Sequence, residues 1–368
     1  MPYRYAAVLT ALLCALGLPA TAQILVGQTA GFTGSVAVGV KETTDGAKLY
    51  FDMVNAKGGV AGQKIELLSL DDKFDPALSA ENTRILITEK NVVAMFLTRG
   101  TPNTEAVIPL LDKYGVPLVG PSTGAMVLHQ PVRKHVFNVR ATYQREAEKA
   151  MAHLASTGIS KIAVVYTDDS FGTDGLAGAQ KGLQHAKLTP VVLEKFDRAK
   201  PDFSHIAPAI VQSGAQAVLL VASSAAAVEG IKALKAAGSN AQFLTLSNNA
   251  SAGFIAGLGS HASGVVVTQV FPRSFNYAFI REFADLARAK GLDDSSPSMV
   301  EGFAAAKVLV AALQRAGPKP TRERIQAALE NQGKLDIGGL EVSYSPSDHS
   351  GLDFADLAII SAEGKFRR

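Results

Sequence analysis

The sequence predicts an α/β protein made of two doubly wound parallel-sheet lobes joined by a hinge, and three observations carry that expectation. Short apolar runs rich in β-branched residues alternate with amphipathic helical stretches along the chain. At 368 residues the series is long for one sheet. Near Phe137–Thr142 one set of strand–helix units passes to the next without a long linker.

The first element is a leader. Arg4 precedes an apolar run from Ala6 to Leu18, then a breaker, Pro19, and the small-residue site Ala20-Thr21-Ala22. This is the plan of a cleavable signal peptide over residues 1–22. The run falls short of the roughly 20 residues that span a bilayer. Cys14 is the only cysteine, and Leu13 before it is not small, so no lipid anchor is expected. The rest of the chain has no cysteine, which excludes disulfides, thiolate metal sites and cysteine nucleophiles there.

Nine runs read as buried parallel strands: Ile24–Gly27, Ile65–Leu70, Val92–Leu97, Val116–Val119, Ile162–Tyr166, Val191–Leu193, Ala217–Val221, Phe243–Leu246 and Gly264–Thr268. Between them Ala147, Ala150, Met151 and Leu154 form one helical stripe, and Val228, Ile231 and Leu234 another, stopped at Gly238. Two helical patterns, Val300–Arg315 and Arg322–Asn331, and two strand-like stretches, Leu340–Tyr344 and Phe354–Ile360, complete the chain.

Composition narrows the function. Lys and Arg total 36 against 33 Asp and Glu, a net charge of +3 with no basic run, so nucleic acid is not expected as a partner. The seven histidines are scattered without metal-ligand spacing. No metal and no cofactor are expected.

In open parallel sheets, ligands bind beyond the carboxyl ends of the strands. There the sequence reads Thr98-Arg99-Gly100-Thr101-Pro102 and Gly120-Pro121-Ser122-Thr123-Gly124, each expected to open a helix, with Thr101 as N-cap. Two helix starts bearing hydroxyls would suit one carboxylate. Later strands end in Asp168-Asp169-Ser170-Phe171, in Ser223-Ser224 and in Ser247-Asn248-Asn249. The candidate ligand-binding residues are therefore Arg99, Thr101, Ser122, Thr123, Gly124, Phe171, Ser223, Ser247 and Asn248. Gly120–Gly124 also matches the G-x-S-x-G nucleophile elbow, with Asp202 and His261 or His349 later in the chain. A secreted serine hydrolase using Ser122 is thus the alternative of another class. Asp75-Pro76 reads as an N-cap and a first-turn proline.

Taken together, Gly46-Ala47, the NAKGGVAG segment from Asn55 to Gly62, the DDKFDP segment from Asp71 to Pro76, Val116-Pro117 with Pro121, Phe137–Arg140, Ile162–Tyr166, Phe171-Gly172 and Asp202–Ser204 resemble the periplasmic leucine/isoleucine/valine-binding proteins of ABC transporters. The resemblance covers nearly all of the chain after the leader. It implies the type I periplasmic binding fold, with a first lobe of residues 24–141 plus 272–335 and a second of 142–271 plus 336–368, closing around a ligand. It also implies a periplasmic, non-enzymatic role, permease subunits as partners, and a monomer. By the same resemblance Thr101 and the Ser122–Gly124 backbone hold the ligand carboxylate, and Phe171 closes over it. The position of an aromatic falls near Ser223, and that of the acid pairing with a ligand ammonium near Ser247. These two departures lead to the expectation of an acid without an α-amino group, whether aromatic, keto or hydroxy. A branched-chain or other amino acid is the alternative, with Asp168 or Asp169 supplying the charge.

Overall fold

The computed structural model describes residues 23–292, 296–331 and 333–367. The expected signal peptide and Cys14 lie outside them. All nine expected strands are present within a few residues of their expected ends.

The first sheet contains β1 (Gln23–Ala30), β2 (Lys64–Asp71), β3 (Ala94–Phe96), β4 (Leu118–Val119) and β5 (Val136–Phe137), all parallel, in the order β2-β1-β3-β4-β5. Its order reverses between β1 and β3, the switch point where such sheets hold ligands. The second sheet repeats that order with β6 (Ile162–Thr167), β7 (Val192–Phe196), β8 (Ala217–Val221), β9 (Gln242–Thr245) and β10 (Val266–Gln269), arranged β10-β9-β8-β6-β7. It departs from an all-parallel expectation at one edge. There β13 (Asp356–Ile360) pairs antiparallel with β10, and β14 (Phe366–Arg367) pairs with β13.

In the first lobe α1 (Ala37–Ala56), α2 (Pro76–Thr88) and α3 (Thr101–Tyr114) cover the sheet. The carboxylate of Asp75 caps α2 through the N–H groups of Ala77 and Leu78, as its sequence suggests. The chain later returns with α9 (Ala278–Ala289), α10 (Pro297–Ala316) and α11 (Arg322–Glu330), whose apolar faces join the core of β1, β3 and α1. Helix α10 lies so close to α1 that a Cβ on Gly302 would sit 1.7 Å from the Thr43 carbonyl oxygen. Only glycine permits that approach.

The second lobe carries α4 (Tyr143–Ser156), α5 (Ser170–His185), α6 (Ile206–Ser213), α7 (Ser224–Ala236) and α8 (Ala252–Leu258). The expected stripe Ala147, Ala150, Met151 and Leu154 is buried along α4, and Ile231 and Leu234 are buried along α7.

One lobe boundary is corrected. The chain was expected to re-enter the second lobe at residue 336. Instead β11 (Lys334–Asp336) and β12 (Glu341–Ser343) form a hairpin, and Ile337, Leu340, Val342 and Tyr344 are buried in the first-lobe core. The hairpin covers the start of α9, where Phe279 N donates to the Gly338 carbonyl at 2.9 Å.

Candidate functional site

Two helix starts were expected to face one ligand, and the structure supplies one. Strand β3 turns into α3 through Gly100, whose φ of 91° is open to glycine and where a Cβ would come within 2.5 Å of the Phe74 ring. The N-cap is Gly100, not Thr101. Thr101 is the first helical residue, and its Oγ1 lies 2.7 Å from Thr123 Oγ1. After β4 the segment Gly120–Gly124 opens no helix. It runs irregularly into a single 3-10 turn at Met126–Leu128. Pro121 and the cross-link of Ser122 N to the Thr98 carbonyl (2.8 Å) hold it extended beside Thr98–Thr101.

Between the lobes lies a narrow cavity lined by residues of both. Of the candidate residues, Arg99, Thr101, Phe171, Ser223 and Asn248 line it. Ser122, Thr123, Gly124 and Ser247 stand one layer behind. Ser122 Oγ accepts from Arg99 Nη1 at 2.9 Å, and Thr123 meets Thr101. The Gly124 carbonyl accepts from Tyr143 N at 2.8 Å, and a Cβ on Gly124 would come within 2.6 Å of the Ala141 carbonyl. The first three of these fix the orientation of Arg99, Thr101 and Tyr143, which line the cavity.

Ser247 has a different setting from the one expected. Its Oγ accepts from Arg140 Nη2 at 2.8 Å, and its N–H donates to Glu146 Oε2 at 2.9 Å. Arg140 also pairs with Glu146, which accepts from Thr268 as well, and Glu301 approaches the other guanidinium nitrogen at 3.8 Å. Arg140 and Glu146 are fully buried. Burial penalises the Arg140 charge, but Glu146 and Glu301 outweigh it and hold the guanidinium above the usual arginine range. This buried cluster ties the first crossing between lobes to α4 and α10. It lies behind the cavity wall, and a buried pair of this kind sets geometry more than it adds stability.

Several lining residues were not singled out as binding residues. Phe74 and Val36 come from the first lobe; Tyr143, Thr167, Phe196 and Arg198 come from the hinge and second lobe. Tyr143 and Phe171 meet edge to face at 4.9 Å, making an aromatic wall. Arg198, on the loop after β7, donates to Asp169 Oδ2 at 2.9 Å and across the cleft to Asn103 Oδ1 at 2.8 Å. Asp169 in turn caps α5, its Oδ1 accepting from Gly172 N at 2.9 Å. Phe74 sits inside the DDKFDP segment at a positive φ of 63°. That acidic turn was the signal that could have found it. Arg198 carries no signal in its own sequence neighbourhood.

The charges lining the cavity are thus Arg99, Arg198 and Asp169. Both oxygens of Asp169 are engaged, one by Arg198 and one by a helix N–H. Asp168 is paired with Lys195 at 2.8 Å and is not among the residues lining this cavity. Arg99 is 3 % exposed, and among the described residues its hydrogen bonds go to neutral partners, Ser122 Oγ and the Asn248 carbonyl at 2.7 Å. The site has a net positive charge located at Arg99. Such a lining can receive an anion against an aromatic wall.

Among the described residues Ser122 has no general-base partner of the kind a nucleophile needs. Its hydroxyl accepts from a guanidinium, while His349 stacks on Phe137 at 4.1 Å and His261 lies in a short turn of the second lobe. Among the described residues no helix is long and apolar enough to cross a membrane.

The protein is 26% identical over 330 residues to Leu/Ile/Val-binding protein homologue 3 of Brucella melitensis, covering 89% of this chain and 88% of that protein. It is 27% identical over 219 residues to homologue 7 of Brucella suis, which covers 57% of this chain; the match spans about half, 54%, of that relative. A solved substrate-binding periplasmic protein from Ralstonia solanacearum is 31% identical with a TM-score of 0.85, covering 94% of this chain and 99% of that one. The family model described as periplasmic binding protein matches residues 23–363. The chain belongs to the periplasmic binding protein family.

Proposed function

We propose that the protein is the periplasmic substrate-binding component of an ABC importer of the branched-chain amino acid type, and that its ligand is a small carboxylate lacking an α-amino group. The family and the two-lobed fold support the first part. The charge pattern of the cavity supports the second. Arg99 is a buried cation with neutral partners, suited to a carboxylate. The one lining carboxylate, Asp169, is already neutralised by Arg198. A ligand ammonium would have to displace that pair or be buried unpaired, at a cost of several kcal/mol. The apolar body of the acid packs against Phe171 and Tyr143.

Arg99 and Thr101 come from the first lobe, and Thr167, Phe171 and Asn248 from the second, so binding is read as closure of the two lobes on the ligand. Delivery to permease subunits follows from the same reading. Exported protein is tested in a thermal-shift panel of leucine, isoleucine, valine, their keto and hydroxy acids, and benzoate- and cinnamate-type acids. A ligand at about a hundredfold above its Kd stabilises by roughly 2.7 kcal/mol, a readily visible shift. Acids without the amine shift the melting temperature. A shift with leucine and none with any amine-free acid rejects the reading.

A further inference from the structure

Two of the cavity's lining residues carry a buried side-chain oxygen with no hydrogen-bond partner among the described residues: Asn248 Oδ1 and Thr167 Oγ1. Leaving such atoms unmade in the bound state is costly, so they report what the ligand must offer. The Thr167 hydroxyl can donate or accept and does not discriminate. Asn248 does. Its Nδ2 donates to the Ala222 carbonyl at 2.9 Å and to Asn249 Oδ1 at 3.1 Å. Two acceptors on one side fix the amide orientation, leaving Oδ1 as a pure acceptor.

We infer that the ligand carries a hydroxyl close to its carboxylate, as in a 2-hydroxy acid, and that this hydroxyl donates to Asn248 Oδ1. The placement follows from Arg99, whose Nη2 donates to the main-chain oxygen of the same Asn248 at 2.7 Å. The carboxylate end of the site and the unmatched acceptor therefore belong to adjacent groups. A keto oxygen or a bare methylene there supplies no donor. An ammonium would supply one, but with a charge that Asn248 cannot neutralise. This inference rests on the carboxylate reading above and narrows it.

Isothermal titration of the mature protein with matched sets decides it. On the 4-methylpentanoate and phenylacetate skeletons, the 2-hydroxy, 2-oxo, unsubstituted and 2-amino acids are compared. The 2-hydroxy acid is expected to bind at least about tenfold more tightly than its 2-oxo and unsubstituted partners, because a site built around a substrate hydroxyl rejects analogues that lack it. In Asn248→Ser the ratio of hydroxy to unsubstituted affinity falls towards one, with folding checked by melting temperature. Equal binding of the three amine-free acids overturns this inference and leaves the carboxylate reading standing. Tightest binding of the 2-amino acid overturns both.

Discussion

Arg198 lays its guanidinium 3.9 Å from the ring centre of Phe74, so that a second-lobe cation stacks on a first-lobe aromatic across the mouth of the cleft. Asp169 holds the guanidinium from behind, and Asn103 accepts from it in front. A rigid planar fork with three partners is a strong cross-cleft link, and Lys cannot reproduce it. Arg198→Ala is expected to weaken ligand binding by at least about thirtyfold, the low end of a cation–π contact of about 0.5 kcal/mol plus a charged hydrogen bond of about 1.5 kcal/mol. The loss should fall mainly on the dissociation rate, because the contact forms after the lobes meet. Stopped-flow binding separates the two rates; an unchanged dissociation rate refutes the latch. Arg198→Lys should recover only a small part.

Arg99 is the proposed carboxylate partner. Arg99→Gln keeps a polar group but removes the charge, and a charge-assisted hydrogen bond contributes roughly 1.5–3 kcal/mol. Affinity for the bound acid is expected to fall by about tenfold to a hundredfold, and the neutral amide of that acid to lose far less. The variant also loses links to Ser122 and Asn248, so its melting temperature is measured alongside. If acid and amide weaken equally, Arg99 supports the wall and does not hold the anion.

How much of this was legible in the sequence depends on the link concerned. Strand positions were readable because buried parallel strands are continuous apolar runs, as in Ala217–Val221. Strand ends then pointed to Arg99, Thr101, Phe171 and Asn248. The same rule could not tell which residue of a loop faces the cavity: Ser122 and Ser247 have hydroxyls at the right places, yet each is turned to an arginine behind or beside the wall. The helix expected after Gly120 fails because its residues pair with Thr98 instead. Arg198 was illegible for a different reason. Its partners, Asp169, Asn103 and Phe74, are distant in sequence, and only the two-lobe arrangement brings them together. The hairpin at Lys334–Ser343 was misassigned because alternation shows a strand but not the sheet or core it joins.

Gly253, near the start of α8, faces Val38 of α1 across the lobes. A Cβ there would lie 1.8 Å from a Val38 methyl carbon. Beside it the Glu42 carboxylate of α1 accepts from the Ala252 and Gly253 N–H groups at 3.0 and 2.9 Å. Gly253→Val is therefore expected to wedge the lobes apart without touching the cavity. Affinity should drop at least about tenfold while melting of the ligand-free protein changes by less than about 1 kcal/mol, as for a surface change. Small-angle scattering should show a more extended particle at saturating ligand than the parent gives. The double variant Gly253→Val with Val38→Ala should regain closure. Wild-type affinity in Gly253→Val would show that the lobes need not approach this closely.

Two buried titrating groups should oppose each other in mildly acidic solution. Burial, with Arg140 nearby, pulls His129 down to about 4 from its ordinary 6.5, and its Nδ1 lies 3.0 Å from Ser350 Oγ. Burial pushes Asp174 up to about 6 from 3.8, despite hydrogen bonds from Gln144 Nε2 and Met126 N. A depressed histidine contributes stability that is present above pH 6.5 and lost as pH falls towards 4. A raised aspartate contributes stability that is present below pH 3.8 and lost as pH rises through 6. Each amounts to roughly 3 kcal/mol across its window, with opposite sign over the shared range from about pH 4 to 6. The parent protein should show a nearly flat stability there as far as these two groups decide it. Asp174→Asn leaves the histidine unopposed, so its stability should fall relative to the parent as pH drops from 6 to 4. His129→Gln should do the reverse and gain on the parent over the same range. Urea unfolding at pH 4, 5, 6 and 7 measures all three proteins, and parallel pH profiles for parent and variants would refute both assignments.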